Sequence, residues 1–166
     1  MTPADMHRPV QIIINPHSGY GGNRQKLLSL RSAFRERGLQ SVEYVTTCAG
    51  DATRYARAVA PKTSVVVVWG GDGTANEVAN GLAGTGVPMI PCPVGTENLL
   101  AKELRIPSHP RRIAEIVAAG QTVDCDLGRI NDRNFLMIIG IGFDAEVVRR
   151  LRSEEHTSEP VTQCYL

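Results

Sequence analysis

Ser64-Val65-Val66-Val67-Val68-Trp69-Gly70-Gly71-Asp72-Gly73-Thr74-Ala75-Asn76-Glu77-Val78-Ala79-Asn80-Gly81-Leu82-Ala83 decides how this chain folds. Its four consecutive valines have the pattern of a central parallel strand buried on both faces rather than of an alternating surface strand. From Thr74 onward Ala75, Val78, Ala79, Leu82 and Ala83 recur at helical spacing, so a helix is expected there. Asn76, Glu77 and Asn80 then turn to a different face, free for other work. The glycine-rich loop between strand and helix falls at the carboxyl end of a strand, where open parallel sheets bind ligands.

Outward from this unit the same alternation repeats. Val10 to Ile14, closed by Asn15-Pro16, reads as a short buried strand. Leu27, Leu30 and Phe34 then predict an amphipathic helix stopped by Gly38. Val42 to Thr46 reads as a strand, and Ala52, Tyr55, Ala56, Val59 and Ala60 as a helix ended by Pro61. Val87 to Cys92, interrupted by Pro88 and Pro91, predicts a strand that is either short or near an edge. Glu97 to Leu104 and Pro110 to Ala119 read as helices, the second ending at Gly120. Alternating strands and helices define an α/β fold, a parallel sheet with helices on both faces. After Gln121 the pattern changes: Thr122 to Ile130 and Asn134 to Ile139 read as two strands joined by a tight polar turn at Asn131-Asp132-Arg133.

Composition excludes several classes. With 18 Lys+Arg against 17 Asp+Glu and 42% hydrophobic residues in 166, the chain is globular and carries no electrostatic footprint of a nucleic-acid binder. Its longest apolar stretches, Val65 to Trp69 and Leu136 to Phe143, fall far short of the roughly 20 residues of a membrane span. Met1 to Pro9 has no apolar core and does not read as a secretory signal, so the expected location is the cytoplasm. Cys48, Cys92, Cys125 and Cys164 form no C-x-x-C pair and read as reduced thiols.

Three loops carry the chemistry. In Gly70-Gly71-Asp72-Gly73-Thr74, three glycines in four positions let backbone amides approach a phosphate, and the helix start offers unpaired N–H groups and the positive end of its dipole. A carboxylate beside phosphates repels them unless it binds a metal or accepts a proton, so Asp72 suggests phosphoryl transfer; an ordinary helix cap at Asp72 or Thr74 explains one residue but not the glycines. Asn15-Pro16-His17-Ser18-Gly19-Tyr20-Gly21-Gly22 follows another strand, and two such loops on adjacent strands enclose one nucleotide from both sides. Neither has the Gly-Lys-Ser/Thr of the P-loop nor G-x-G-x-x-G. His17 has no His or Cys companion nearby and reads as an exposed loop residue. Pro93-Val94-Gly95-Thr96-Glu97-Asn98 places a third Gly-Thr pair between strand and helix.

Asn15-Pro16-x-Ser18-Gly19, Gly70-Gly71-Asp72-Gly73-Thr74-x-Asn76-Glu77-Val78-x-Asn80-Gly81 and Pro93-x-Gly95-Thr96-x-Asn98 together resemble the catalytic domain of the diacylglycerol kinase and sphingosine kinase superfamily, above all its bacterial lipid kinases. Gly140-Ile141-Gly142-Phe143-Asp144-Ala145 resembles the glycine-rich segment where that family's second domain begins. The resemblance implies ATP-dependent phosphorylation of a lipid hydroxyl. It places Asn15, Pro16, His17, Ser18, Gly19, Thr46, Gly71, Asp72, Gly73, Thr74, Ala75, Asn76, Glu77 and Thr96 around ATP, with Asp72 as the catalytic residue managing Mg2+ or the proton. It also implies a lipid alcohol as substrate and peripheral, transient membrane contact. Many relatives carry an aspartate where this chain has Leu99, with Glu97 nearby on a different side of the turn.

The resemblance further implies a second, β-sandwich domain bearing another catalytic acid and metal ligands. The expected organisation is a nucleotide-binding domain over residues 1–121, the first hairpin of a truncated β-rich domain over 122–151, and a non-native tail over 152–166. Arg152 to Glu159 resembles a translated sequencing-adapter oligonucleotide, and the whole tail is set aside from fold reasoning. On this expectation the hairpin exposes Val123, Ile130, Phe135, Met137 and Ile139, and the fragment associates or dimerises through them. Two alternatives stand beside the lipid kinase: an inactive ATP-binding fragment, and a relative of the NAD kinases and phosphofructokinases, which share Gly-Gly-Asp-Gly-Thr.

Overall fold

The computed structural model describes residues 8–18, 23–139 and 145–146. Four parallel strands, β1 (Val10–Ile14), β2 (Ser41–Val45), β3 (Val65–Gly70) and β4 (Met89–Pro93), form one sheet in the order β2-β1-β3-β4. The helices between and after them are α1 (Asn23–Glu36), α2 (Asp51–Val59), α3 (Asp72–Leu82), α4 (Leu99–Glu103) and α5 (Pro110–Ala119). A 3-10 turn at Ala60–Lys62, containing Pro61, closes α2.

The inner strands are buried along their whole length, and alternation sorts their side chains onto two cores. Ile12, Ile14, Val65, Val67 and Trp69 pack with Leu30 and Phe34 of α1 and Ile113 and Val117 of α5. Ile13, Val66 and Val68 pack on the other face with Ala52 and Ala56 of α2, Val78 and Leu82 of α3 and Leu100 of α4. α2 and α3 approach so closely that a Cβ on Gly81 would lie 2.6 Å from the Thr53 carbonyl oxygen and 2.8 Å from Ala56 Cβ. Glycine at 81 is a packing requirement. β4 is an edge strand, as its prolines predict: Val66 N–H donates to the Pro88 carbonyl, so Pro91 and Pro93, one residue out of phase, face away from β3 where no ladder donor is needed.

Several boundaries differ from the expected ones: β2 spans Ser41–Val45 rather than Val42 to Thr46, and β4 spans Met89–Pro93 rather than Val87 to Cys92. The helix expected from Glu97 begins at Leu99, because Asn98 takes a left-handed conformation (φ 52°) and its amide closes a turn with the Gly95 backbone. The hairpin is shorter than expected: β5 (Gly128–Ile130) and β6 (Arg133–Phe135) pair antiparallel around Asn131-Asp132, while 121–127 form no strand.

The hairpin is docked on α3, and Asn76 and Asn80 are the clamp rather than unoccupied groups. The Asn80 side chain donates to the Asn134 carbonyl at 2.8 Å and accepts its N–H at 2.9 Å, and Asn76 Oδ1 accepts the Leu136 N–H at 3.1 Å. Leu136 and Met137 pack partly against the α2/α3 core. Of the side chains expected at the surface, Val123 is 70% exposed, whereas Ile130, Phe135, Met137 and Ile139 are half-buried. Among the described residues no helix is long and apolar enough to cross a membrane, and Cys48, Cys92 and Cys125 are free thiols. The Gly140 to Ala145 motif, apart from Ala145, and the 152–166 tail lie outside the described residues.

Candidate functional site

A cleft of about 340 Å³ opens at the carboxyl edge of the sheet. Each strand of the parallel sheet delivers a loop to it: Asn15, His17 and Ser18 after β1, Thr46 to Ala49 after β2, Gly71 to Thr74 with Glu77 after β3, and Gly95 to Glu97 after β4. Strand order reverses direction between β1 and β3, the crevice where doubly wound sheets take ligands.

The three motifs are locked to one another. Asn15 Nδ2 donates to Thr74 Oγ1 at 3.2 Å, while Asn15 Oδ1 accepts the His17 N–H at 3.0 Å. Ser18 Oγ accepts the Gly71 N–H at 3.2 Å. A Cβ on Gly95 would meet Gly71 Cα at 2.8 Å, so the third loop lies directly on the second. Asp72 spans the same gap: its two carboxylate oxygens accept the N–H groups of Leu99 (2.9 Å) and Leu100 (3.1 Å) at the start of α4. Asp72 sits in the first turn of α3, where Gly71 is the cap residue and no side chain caps the helix. Its carboxylate therefore caps the neighbouring helix and not its own.

Two further carboxylates hold the wall made by Thr46 to Ala49. Glu77, buried in α3, accepts the N–H groups of Gly50 (2.9 Å) and Ala52 (3.2 Å) at the start of α2. Asp51, also buried, accepts the Thr47 N–H at 2.9 Å, the Thr47 hydroxyl at 3.1 Å, the Tyr44 hydroxyl at 3.0 Å and the Arg54 guanidinium at 3.1 Å. The Thr47 N–H first, then the Tyr44 and Thr47 hydroxyls and Arg54, hold the Asp51 carboxyl below its ordinary value of 3.8 against the opposing effect of burial. A lowered folded pKa contributes stability that is present above the unfolded value and lost as pH falls through the folded one. Melting followed from pH 6 downward is expected to show an acid-side loss beginning near the ordinary carboxylate range, and Asp51→Asn is expected to flatten that part of the curve.

Of the residues predicted to surround a nucleotide, Asn15, His17, Ser18, Thr46, Gly71, Asp72, Gly73, Thr74, Glu77 and Thr96 line the cleft. Pro16 is exposed outside the lining, Ala75 is buried in the α2/α3 core and Asn76 faces the hairpin. Gly19 lies outside the described residues. Thr47, Cys48 and Ala49 also line the cleft and escaped sequence reasoning, since their loop has no glycine run; only the place of β2 beside β1 brings it to the site. Among the described residues the lining holds three carboxylates, Asp72, Glu77 and Glu97, and no Lys or Arg.

Fold and site define the class: a doubly wound α/β domain with a polar ligand cleft at its strand ends, built from three interlocked glycine-containing loops. Residues 9–130 match the diacylglycerol kinase catalytic domain, and the chain belongs to that family. It is 38% identical over 145 residues to a diacylglycerol kinase of Mycobacterium tuberculosis, covering 83% of this chain and 47% of that protein. It is 37% identical over 136 residues to a diacylglycerol kinase of Bacillus subtilis, covering 80% of this chain and 45% of that one. A crystal structure of a diacylglycerol kinase from Bacillus anthracis superposes with a TM-score of 0.69 at 28% identity, over 78% of this chain and 46% of that chain. The chain thus spans about half the length of the curated relatives it matches.

Proposed function

We propose that this chain is the nucleotide-binding part of an ATP-dependent lipid kinase that transfers the γ-phosphoryl group to the hydroxyl of a diacylglycerol-like lipid alcohol. In this reading residues 1–121 form the nucleotide-binding unit, the hairpin begins the part that follows, and contact with the bilayer is peripheral. The observation that carries it is the start of α3, which among the described residues no side chain caps. Glu77 covers the first amides of α2, and Asp72 those of α4. The amides of Asp72, Gly73 and Thr74 at the start of α3 precede the first intrahelical bond, Ala75 N–H to the Gly71 carbonyl. They lie on the cleft and are the natural seat for a phosphate.

The donor set also favours a metal–nucleotide complex. A cleft whose described residues offer three carboxylates and no Lys or Arg repels a bare polyphosphate, whereas Mg2+ is commonly held by one or two carboxylates together with the phosphates themselves. Asp72 suits that role, since a carboxylate has about four acceptor positions and two are used by α4. Held there by Asp72, Mg2+ would supply positive charge that offsets that of the phosphates. The α3 amides would position the phosphates, and Ser18 and Asn15 would keep the loops in register. The lipid hydroxyl oxygen then forms a bond to the γ-phosphorus, the bond to the ADP oxygen breaks, and the hydroxyl proton leaves to a base.

Calorimetric titration with ATP tests the reading. Binding is expected with Mg2+ present and is expected to weaken about tenfold or more, roughly 1.4 kcal/mol, when the metal is chelated. Absence of binding under both conditions would overturn the proposal. Transfer of radiolabelled phosphate from ATP to diacylglycerol in mixed micelles tests the acceptor, and labelling of soluble alcohols alone would redirect it.

A further inference from the structure

We infer that Glu77 is a positioning residue: together with Asp51 it sets the Thr46 to Ala49 wall of the cleft at the height the nucleotide requires, and does not itself contact nucleotide or metal. The inference rests on the nucleotide reading of the cleft. Glu77 lines the cleft and so looks available to a ligand, but unlike the half-buried Asp72 it is only 8% exposed, and both of its oxygens accept amides at the start of α2, those of Gly50 and Ala52. Its own backbone carbonyl accepts the Thr53 hydroxyl at 2.9 Å, which fixes α2 on α3 one turn further along. Gly50 is left-handed (φ 78°), so the chain turns sharply there, and carboxylates of opposite approach hold Gly50 and Ala52 on one side and Thr47 on the other. Glu77 reaches the turn from α3, and Asp51 reaches back across it to both polar groups of Thr47. Tyr44, which donates to Asp51, stacks on Tyr55 with ring centroids 3.7 Å apart, tying the wall to β2 and α2 at once. The wall therefore rests on two buried anions, and its position follows theirs.

Asp51 lies outside the cleft lining, which separates positioning from direct contact. Glu77→Gln keeps the length of the side chain but turns an NH2 toward one of the two amides, and Asp51→Asn does the same to the Thr47 contacts. Each variant is expected to speed hydrogen exchange of the Thr47 to Ala52 amides about tenfold while β1 and β3 keep their protection. Each is also expected to weaken ATP·Mg binding about tenfold at a temperature where the variant is fully folded. The double variant is expected to bind no more weakly than the weaker single, because both act through one wall. Three results would overturn the inference. One is unchanged exchange at 47–52 in both variants. Another is weakened binding by Glu77→Gln alone, with Asp51→Asn binding like the parent, which would make Glu77 a ligand. The third is faster exchange with unaltered affinity, which would leave the pair a stability device only. If Glu77→Gln fails to fold, Asp51→Asn decides between the same results. A parent chain that binds no ATP would overturn the nucleotide reading and the affinity consequence together, whereas unchanged exchange overturns the positioning alone.

Discussion

Gly71→Val is expected to weaken ATP·Mg binding about a hundredfold, roughly 2.7 kcal/mol, and to leave the melting temperature nearly where it is. Residue 71 has extended backbone angles (φ −84°, ψ −173°), which valine adopts without strain. Among the described residues its Cβ would meet nothing nearer than Ser18 Oγ at 4.0 Å. The added methyls therefore cost the fold little, and they stand between the first loop and the start of α3, in the space assigned to a phosphate. Gly95→Val is the contrasting case. Its Cβ would lie 2.8 Å from Gly71 Cα and 3.3 Å from Gly71 N, and backbone cannot swing aside as a side chain can. Overpacking of this kind costs about 1–3 kcal/mol, so this variant is expected to lose both stability and affinity. Calorimetry and thermal melting of the two variants check the pair of outcomes. Gly71→Val binding ATP like the parent would move the phosphate away from the start of α3.

The contrast between these glycines also marks what the linear sequence makes legible. Burial on both faces leaves a local trace, so the valine run announces β3, and helical spacing locates α5 at Pro110–Ala119 as expected. The prolines of β4 announce an edge because a missing donor is intolerable elsewhere. The motifs too are local, and most of the residues they nominate do line the cleft. What a run of residues does not disclose is a side chain whose partner lies far along the chain. Glu77 and the Gly50 and Ala52 amides are 27 and 25 residues apart, and Asn80 and Asn134 are 54 apart. The helical pattern assigned Asn76, Glu77 and Asn80 to one face without saying that α2 and the hairpin would occupy it. The delayed start of α4 has the same origin, since Asp72, 27 residues before Leu99, helps set where that helix begins. For Asp72 too, the local pattern points to a cap on its own helix, and the cap it makes belongs to α4.

Asp72→Asn is expected to show both roles at once. Asparagine keeps the size of the side chain, but its NH2 cannot accept the second N–H from α4, and the negative charge that favours a helix N-terminus is gone. Replacing a charged acceptor of two backbone amides in this way is expected to cost about 1–2 kcal/mol of stability without any nucleotide present, read as a lower denaturant midpoint with an unchanged slope. The separate expectation concerns the metal. If Asp72 offers its remaining acceptor positions to Mg2+, the strengthening of ATP binding by Mg2+ in the parent chain should fall to less than about threefold in the variant, while binding of ATP without metal should be unchanged or slightly tighter, because one repelling charge has been removed. Leu99→Asp separates the roles further. It leaves Asp72 in place and adds a carboxylate at a half-exposed position beside it, which is expected to strengthen the Mg2+ dependence without restoring the cap in an Asp72→Asn background. Reduced stability with full Mg2+ dependence in Asp72→Asn would confine Asp72 to holding α4, and would require the metal to be carried by the nucleotide and Glu97 alone.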